Sequence, residues 1–206
     1  MNSTPASPAV TLRPRQGEEE ERKEPFTEVI GGLMWISNAT RPDISNAVRE
    51  VARYAHDPSV QHWREALKIV QYPKGTRDSG ITCKKSSPSR LVAFADSSFA
   101  ENKQDRRTVS RGAALFAGGV VVWFSRTQPC VTLSSTESEY ILYDALAKVS
   151  REVLLLRQIL DFTQPGLVGR PATIYEDNDG AIKWWQKTLS ALTIPSTLMS
   201  GTISLE

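Results

Sequence analysis

Asp96, Glu139 and Asp177 are carboxylates set where the chain changes from one kind of element to another. Asp96 closes the apolar run Leu91-Val92-Ala93-Phe94-Ala95, and Asp177 closes Ala172-Thr173-Ile174-Tyr175-Glu176. Glu139 lies in the opening turn of a long helical pattern that begins at Ser134-Ser135-Thr136. A carboxylate at the carboxyl end of a buried strand adds nothing to the core and is costly to desolvate. Three of them on one edge repel one another unless a cation sits between, so the pattern points to a divalent-metal site. Each acid also has an architectural reading. Thr136-x-x-Glu139 and Ser134-x-x-Glu137 are both capping-box patterns, and Asp177 stands where it can cap a following helix. Asp96, which interrupts an apolar strand, has the weakest such explanation.

The elements that must carry these acids follow from periodicity. Residues 90–96 are nearly continuously apolar, as in a strand covered on both faces. Val109–Ala117 and Val120–Ser125 flank Gly118-Gly119, a hairpin signal. Thr136 to about Phe162 reads as a helix with Leu142, Leu146, Val149, Val153, Leu156 and Leu160 on one face, ended by Gln164-Pro165-Gly166. A fourth strand is expected over 172–177, followed by a short helix through Trp184-Trp185. Three strands joined by short turns form an antiparallel meander, so the first and third run the same way. The helix after the third strand then starts at the end of the sheet where the first strand finishes. A crossover returns the chain to a fourth strand parallel to the first. If those two strands are neighbours, Asp96 and Asp177 end side by side at about the 4.8 Å strand spacing, in the crevice where open α/β sheets bind ligands.

The rest of the chain divides into segments. Residues 1–25 hold Pro, Ser and Thr and then Glu18-Glu19-Glu20-Glu21, with almost no apolar periodicity, and read as a disordered acidic leader. Residues 26–75 read as helical. Pro42 suits a first helical position, and Ile44, Ala47, Val48, Val51, Tyr54 and Ala55 follow helical spacing up to Asp57-Pro58-Ser59. Val60, Trp63, Ala66, Leu67 and Val70 mark a further helix, stopped by Pro73 and Gly75. A polar linker at 76–89 precedes the strand-bearing domain at 90–187, and 188–206 reads as an atypical tail.

With 25 basic and 23 acidic residues the net charge is +2, and the apolar share is 40%. These are the proportions of a soluble globular protein. No stretch approaches the roughly 20 apolar residues of a membrane span, and no signal-peptide core stands at the N-terminus, so no membrane partner is expected. Cys83 and Cys130 form no CxxC or Cys/His cluster and read as free thiols in a reducing compartment. His56 and His62 lack zinc-ligand spacing and read as helix-surface or semi-buried residues. Between Val60 and Leu91, Arg64, Lys68, Lys74, Arg77, Lys84, Lys85 and Arg90 outnumber Glu65 and Asp78. A basic stretch beside an acidic metal site suits a phosphate-backbone ligand, while any one of these residues also fits an ordinary solvated surface.

Several short motifs, in order, resemble the ribonuclease H domain at the end of the Pol polyprotein of copia-type LTR retrotransposons. Thr40-Arg41-Pro42-Asp43-Ile44 is similar to that family's TRPDI, and His62-Trp63 with Lys74-Gly75-Thr76 to its HW…KGT. Asp105-Arg106-Arg107-Thr108 is similar to DRRS, Ser134 to Tyr140 nearly reproduces SSTEAEY, and Glu176-Asp177-Asn178 with Gly180-Ala181 resembles EDN-x-GA. The resemblance runs from about Phe26 to Lys183. It implies a ribonuclease H-like α/β fold and hydrolysis of RNA in an RNA–DNA hybrid. Asp96, Glu139 and Asp177 then match three of the family's four metal-binding acids. Glu139 is preferred to Glu137 because the family's glutamate directly precedes the Tyr or Leu, here Tyr140.

The implied cofactor is Mg2+, with Mn2+ as its substitute, in a two-metal hydrolysis. Asp96 would bridge the ions, and Arg106 and Arg107, in the loop beyond Asp96, would contact the substrate backbone. The implied partners are the hybrid and the reverse transcriptase part of the same polyprotein, whose tail the 26–75 segment resembles. The implied location is the cytoplasm, a virus-like particle or the nucleus. Three departures stand out. Pro73 replaces an apolar residue and is expected to shorten its helix, and Arg111 stands where the family tends to have a small residue. After Trp185 the family's Ser-Lys-His-Ile-Asp segment, with the fourth aspartate, is absent. A poor or inactive nuclease is therefore expected, or a noncatalytic nucleic-acid-binding remnant or inactive fragment of a decayed element.

Overall fold

The computed structural model describes residues 4–6, 10–17, 25–84, 90–98, 107–131, 135–167, 172–176, 198–199 and 202–205. Of residues 129–131, 135–142, 198–199 and 202–205 only the backbone is described. The chain divides into two compact units, Met1–Ile81 and Thr82–Glu206.

The first unit is helical. Helix α1 spans Phe26–Ala39, a 3-10 turn spans Pro42–Ile44, and α2 (Ser45–Ala52) and α3 (Val60–Gly75) follow. Phe26, Ile30 and Leu33 of α1 meet Ile44, Ala47, Val48 and Val51, with Ala66 and Ile69 of α3 completing the core. Burying each large aliphatic among these stabilises by about 1.5–3 kcal/mol. The inward face of α3 is His62, Glu65, Ala66 and Ile69. Leu67 and Val70, expected inward, are 39% and 38% exposed. Each lies one residue, about 100° of helix, from an inward position. His62 is more enclosed than expected, fully buried, with Nδ1 accepting the Ser59 N–H at 2.9 Å and its ring stacked on Tyr54. Pro73 does not cut α3 short. The helix continues to Gly75, where the Thr76 N–H bonds to the carbonyls of Tyr72 and Pro73. A proline in a last turn forfeits only one backbone bond there, and the helix ends two residues later in any case.

The second unit is α/β. Strands β1 (Val92–Ser98), β2 (Arg107–Phe116) and β3 (Gly119–Val131) form an antiparallel meander, α4 (Ser135–Thr163) follows, and β4 (Ala172–Tyr175) returns parallel to β1. This is the ribonuclease H-like mixed sheet with a helix between its third and fourth strands. Two further strands, β5 (Leu198–Met199) and β6 (Thr202–Leu205), extend it to the order β3-β2-β1-β4-β6-β5, with β6 antiparallel to β4. That extension was not legible in a segment read as an atypical tail.

Leu146, Val149 and Val153 of α4 are buried against Leu91, Ala93, Ala95, Ala114, Ala172 and Ile174, with Leu156 and Leu160 packed at the margin. The helix lies close because β2 carries Gly112 beneath it: a Cβ there would stand 2.4 Å from Val149 Cγ2 and 2.6 Å from Phe124. The β2–β3 turn is Ala117-Gly118, one residue earlier than expected, with Phe116 paired to Gly119. Both turn residues have positive φ (51° and 78°), as a two-residue hairpin turn requires. For Ala117 that conformation costs about 1 kcal/mol. Strand β1 differs from its expectation too. Ala93 and Ala95 are buried on the helix side, but Phe94 is 46% exposed, so among the described residues only one face is covered.

Candidate metal and nucleic-acid site

The three sequence-named acids fare differently. Asp96 does not close its strand: β1 runs on to Ser98, and Asp96 pairs directly with Arg111 of β2. Arg111 Nη1 donates to Asp96 Oδ2 at 3.2 Å, with the Asp96 side chain half exposed. Glu139 lies within the first turns of α4, as expected, and its side chain is outside the described set. Asp177 lies outside the described residues, as does Arg106. Arg107 is not in a loop. It is the exposed first residue of β2, in register with Val131.

Parallel pairing of β1 and β4 runs Val92↔Thr173, Ala93↔Ile174 and Phe94↔Tyr175. Asp96 follows Phe94 by two residues in sequence, and Asp177 follows Tyr175 by two. On the face turned away from α4, the Phe94 and Tyr175 rings stack with centroids 5.2 Å apart. The expected neighbouring of the first and fourth strands is thus present.

The helix side of the same sheet carries a polar cluster that sequence reasoning missed. Ser110 Oγ donates to Asp144 Oδ2 at 3.1 Å, Gln128 Nε2 donates to both Ser110 Oγ and Asp144, and Lys148 Nζ reaches Asp144 Oδ2 at 2.5 Å. Burial acts to raise the Asp144 pKa, but hydrogen bonds from Lys148, Gln128 and Ser110 outweigh it and hold the carboxyl below its ordinary value. The cluster ties β2 and β3 to α4, one turn beyond Glu139. Its one local signal is the Asp144–Lys148 spacing on a helix face; the strand partners are set by register. Alongside it, Ser97 Oγ and Thr108 Oγ1 are buried without a hydrogen-bond partner among the described residues.

The motifs that resemble TRPDI and KGT meet in the first unit. Arg41 Nε and Nη2 bind the two oxygens of Asp43 at 2.9 and 2.7 Å, and Nη1 and Nη2 bind the Thr76 carbonyl and hydroxyl at 3.2 and 2.7 Å. Tyr72 lies against the guanidinium, 5.4 Å from ring centre to Cζ. That hydrogen bonding holds the Arg41 pKa up and, above all other causes, the Asp43 pKa down. These motif residues act as a clamp on the end of α3. Of the basic stretch between Val60 and Leu91, Lys68 pairs with Glu65 at 2.6 Å and Arg90 donates to Thr173 Oγ1, and the stretch is divided between the two units.

Magnesium takes hard oxygen donors, and the Asp96 carboxylate is one, at an accessible position. The donor chemistry fits; the charge around it departs, because Arg111 already neutralises Asp96. Among the described residues no group of three His, Cys, Asp or Glu stands close enough to hold a metal ion. Among them, too, no helix is long and apolar enough to cross a membrane.

The chain is 32% identical over 160 residues to a retrovirus-related Pol polyprotein from the tobacco transposon TNT 1-94, covering 78% of this chain and 12% of that protein. It is 31% identical over 180 residues to the Pol polyprotein of the Arabidopsis thaliana transposon RE1, covering 87% of this chain and again 12% of the relative. A secreted RxLR effector protein, number 161, of Plasmopara viticola is 32% identical over 132 residues, 64% of this chain and 91% of the effector. No protein-family model and no solved structure matches the chain. The chain spans about an eighth of the length of the Pol polyproteins it matches (12%). Over most of its length, the chain is thus similar to one segment of the retrovirus-related Pol polyproteins of plant transposons.

Proposed function

We propose that the second unit is a ribonuclease H-like nuclease domain that hydrolyses RNA in an RNA–DNA hybrid, with low activity. The observation that carries this is the Phe94↔Tyr175 pair on neighbouring parallel strands, each followed two residues later in sequence by an acid, Asp96 or Asp177. Glu139, in the first turns of the helix that links the third and fourth strands, would be the third acid. These three carboxylates would hold magnesium, or manganese in its place, and the ions would supply water activation and leaving-oxygen stabilisation for phosphodiester hydrolysis. The chain's own contribution would be to carry Asp96 on β1 and Glu139 on α4, and to offer Arg107, exposed at the start of β2, to a phosphate backbone.

Low activity follows from the segment after Trp185, which lacks the family's fourth-aspartate pattern. Its described residues carry no carboxylate: 202–205 form a strand on β4, and 198–199 form a further strand on that one. The partners are the hybrid and the reverse transcriptase part of a longer Pol polyprotein. The test is a hybrid-cleavage assay of the purified chain against Asp96→Asn at millimolar magnesium and manganese. Slow cleavage that disappears in the variant is expected. Cleavage indifferent to Asp96→Asn would sink the assignment, and hybrid binding without any cleavage would identify a noncatalytic nucleic-acid-binding remnant.

A further inference from the structure

We infer that Arg111 is a built-in counter-cation of Asp96, which occupies the charge position a divalent ion needs and so sets how much metal the site requires. The inference rests on reading Asp96 as a metal-binding carboxylate, and it concerns the regulation of that same site.

Three observations carry it. Asp96 and Arg111 are directly opposed across the antiparallel β1–β2 ladder, so backbone register brings them together. Both lie on the sheet face turned away from α4, because the flanking Ala95 is buried in the core and Gly112 abuts Val149 of α4. The guanidinium reaches the carboxylate, Nη1 to Oδ2, at 3.2 Å, with the arginine side chain 25% exposed and the aspartate 49%. An arginine never loses its proton in a protein, so this positive charge is permanent. A half-exposed cross-strand pair is weak enough to open for a competing ion. The arginine then remains beside the ion and repels it. For a unit charge and a divalent ion about 6 Å apart at near-aqueous screening, that repulsion amounts to roughly tenfold in affinity.

The experiment titrates the full 206-residue chain with Mn2+, following free ion by electron paramagnetic resonance, in the wild type, Arg111→Gln, Arg111→Lys, Asp96→Asn and the double variant. Arg111→Gln is expected to lower the half-saturating Mn2+ about tenfold, the Coulomb figure above, whereas Arg111→Lys stays near the wild type. Asp96→Asn is expected to weaken binding in both backgrounds. If Arg111→Gln leaves the affinity unchanged while Asp96→Asn abolishes binding, the metal-binding role of Asp96 survives and the inference about Arg111 is overturned. Equal gains in the Gln and Lys variants also overturn it, since charge is then not the cause. Binding indifferent to Asp96→Asn removes the underlying reading and the inference with it. Where Arg111→Gln does not fold, Arg111→Met, which keeps the aliphatic stem, carries the same comparison.

Discussion

Arg41 makes two hydrogen bonds to Asp43 and two to Thr76, from a side chain that is almost wholly enclosed. In the sequence it was one letter of a family motif, with nothing to separate a catalytic from an architectural role. The contacts make it architectural, because the planar fork serves an aspartate and a helix-terminal carbonyl at once. Lysine offers a point charge that satisfies only part of that set. Arg41→Lys is therefore expected to destabilise the chain by roughly 1–3 kcal/mol, the scale of hydrogen bonds to a charged group. Urea denaturation followed by tryptophan fluorescence measures it, and an unchanged midpoint would remove the clamp from the account. Asp96 was legible as an odd residue in an apolar strand. Its partner Arg111 was visible only as a departure from the family pattern. No sequence rule says which residue of a neighbouring strand stands opposite.

Helix α4 and its sheet behave as one element pair. The i, i+3, i+4 spacing of Leu146, Val149 and Val153 identified the buried face from sequence alone, and these residues do form the core. What the spacing did not convey is how closely the helix approaches. Gly112 sets that distance, since an added methyl would collide with Val149 and Phe124. Gly112→Ala is expected to cost about 1–3 kcal/mol by overpacking, read as a lowered thermal midpoint. A neutral Gly112→Ala would mean that the helix can retreat freely. The polar tether acts at the other end of the same contact. The Asp144 carboxyl, held below its ordinary pKa, contributes stability that is fully present above the unfolded carboxylate pKa of about 3.8. That contribution is lost as pH falls through the lower folded value. Asp144→Asn should thus destabilise the chain near neutral pH by about 1 kcal/mol, with the difference shrinking in strong acid. A difference that grows on acidification would reverse the assigned sign.

At the scale of the whole chain, the boundary at Ile81/Thr82 separates a helical unit from an α/β unit. The change near residue 90 from helical apolar spacing to a short continuous apolar run, followed by a hairpin signal, announced the switch. The extra strands β5 and β6 were not announced, because Leu198-Met199 and Thr202-Ile203-Ser204-Leu205 are too short for any period to show. Basic residues on both units lead us to expect weak hybrid binding that falls steeply with salt, since its contacts are to phosphate. Equal affinity in 50 and 200 mM salt, the range over which about a thousandfold loss is usual for several phosphate contacts, would contradict that expectation. The central claim is that Asp96, Glu139 and Asp177 share divalent metal. Crystals of the chain soaked in Mn2+ and measured at the manganese edge test it most directly. The account predicts an anomalous peak about 2.1 Å from an Asp96 oxygen, with Glu139 or Asp177 among its other ligands. A peak elsewhere, or the three carboxylates more than about 10 Å apart, beyond the span of a two-metal site, would contradict it.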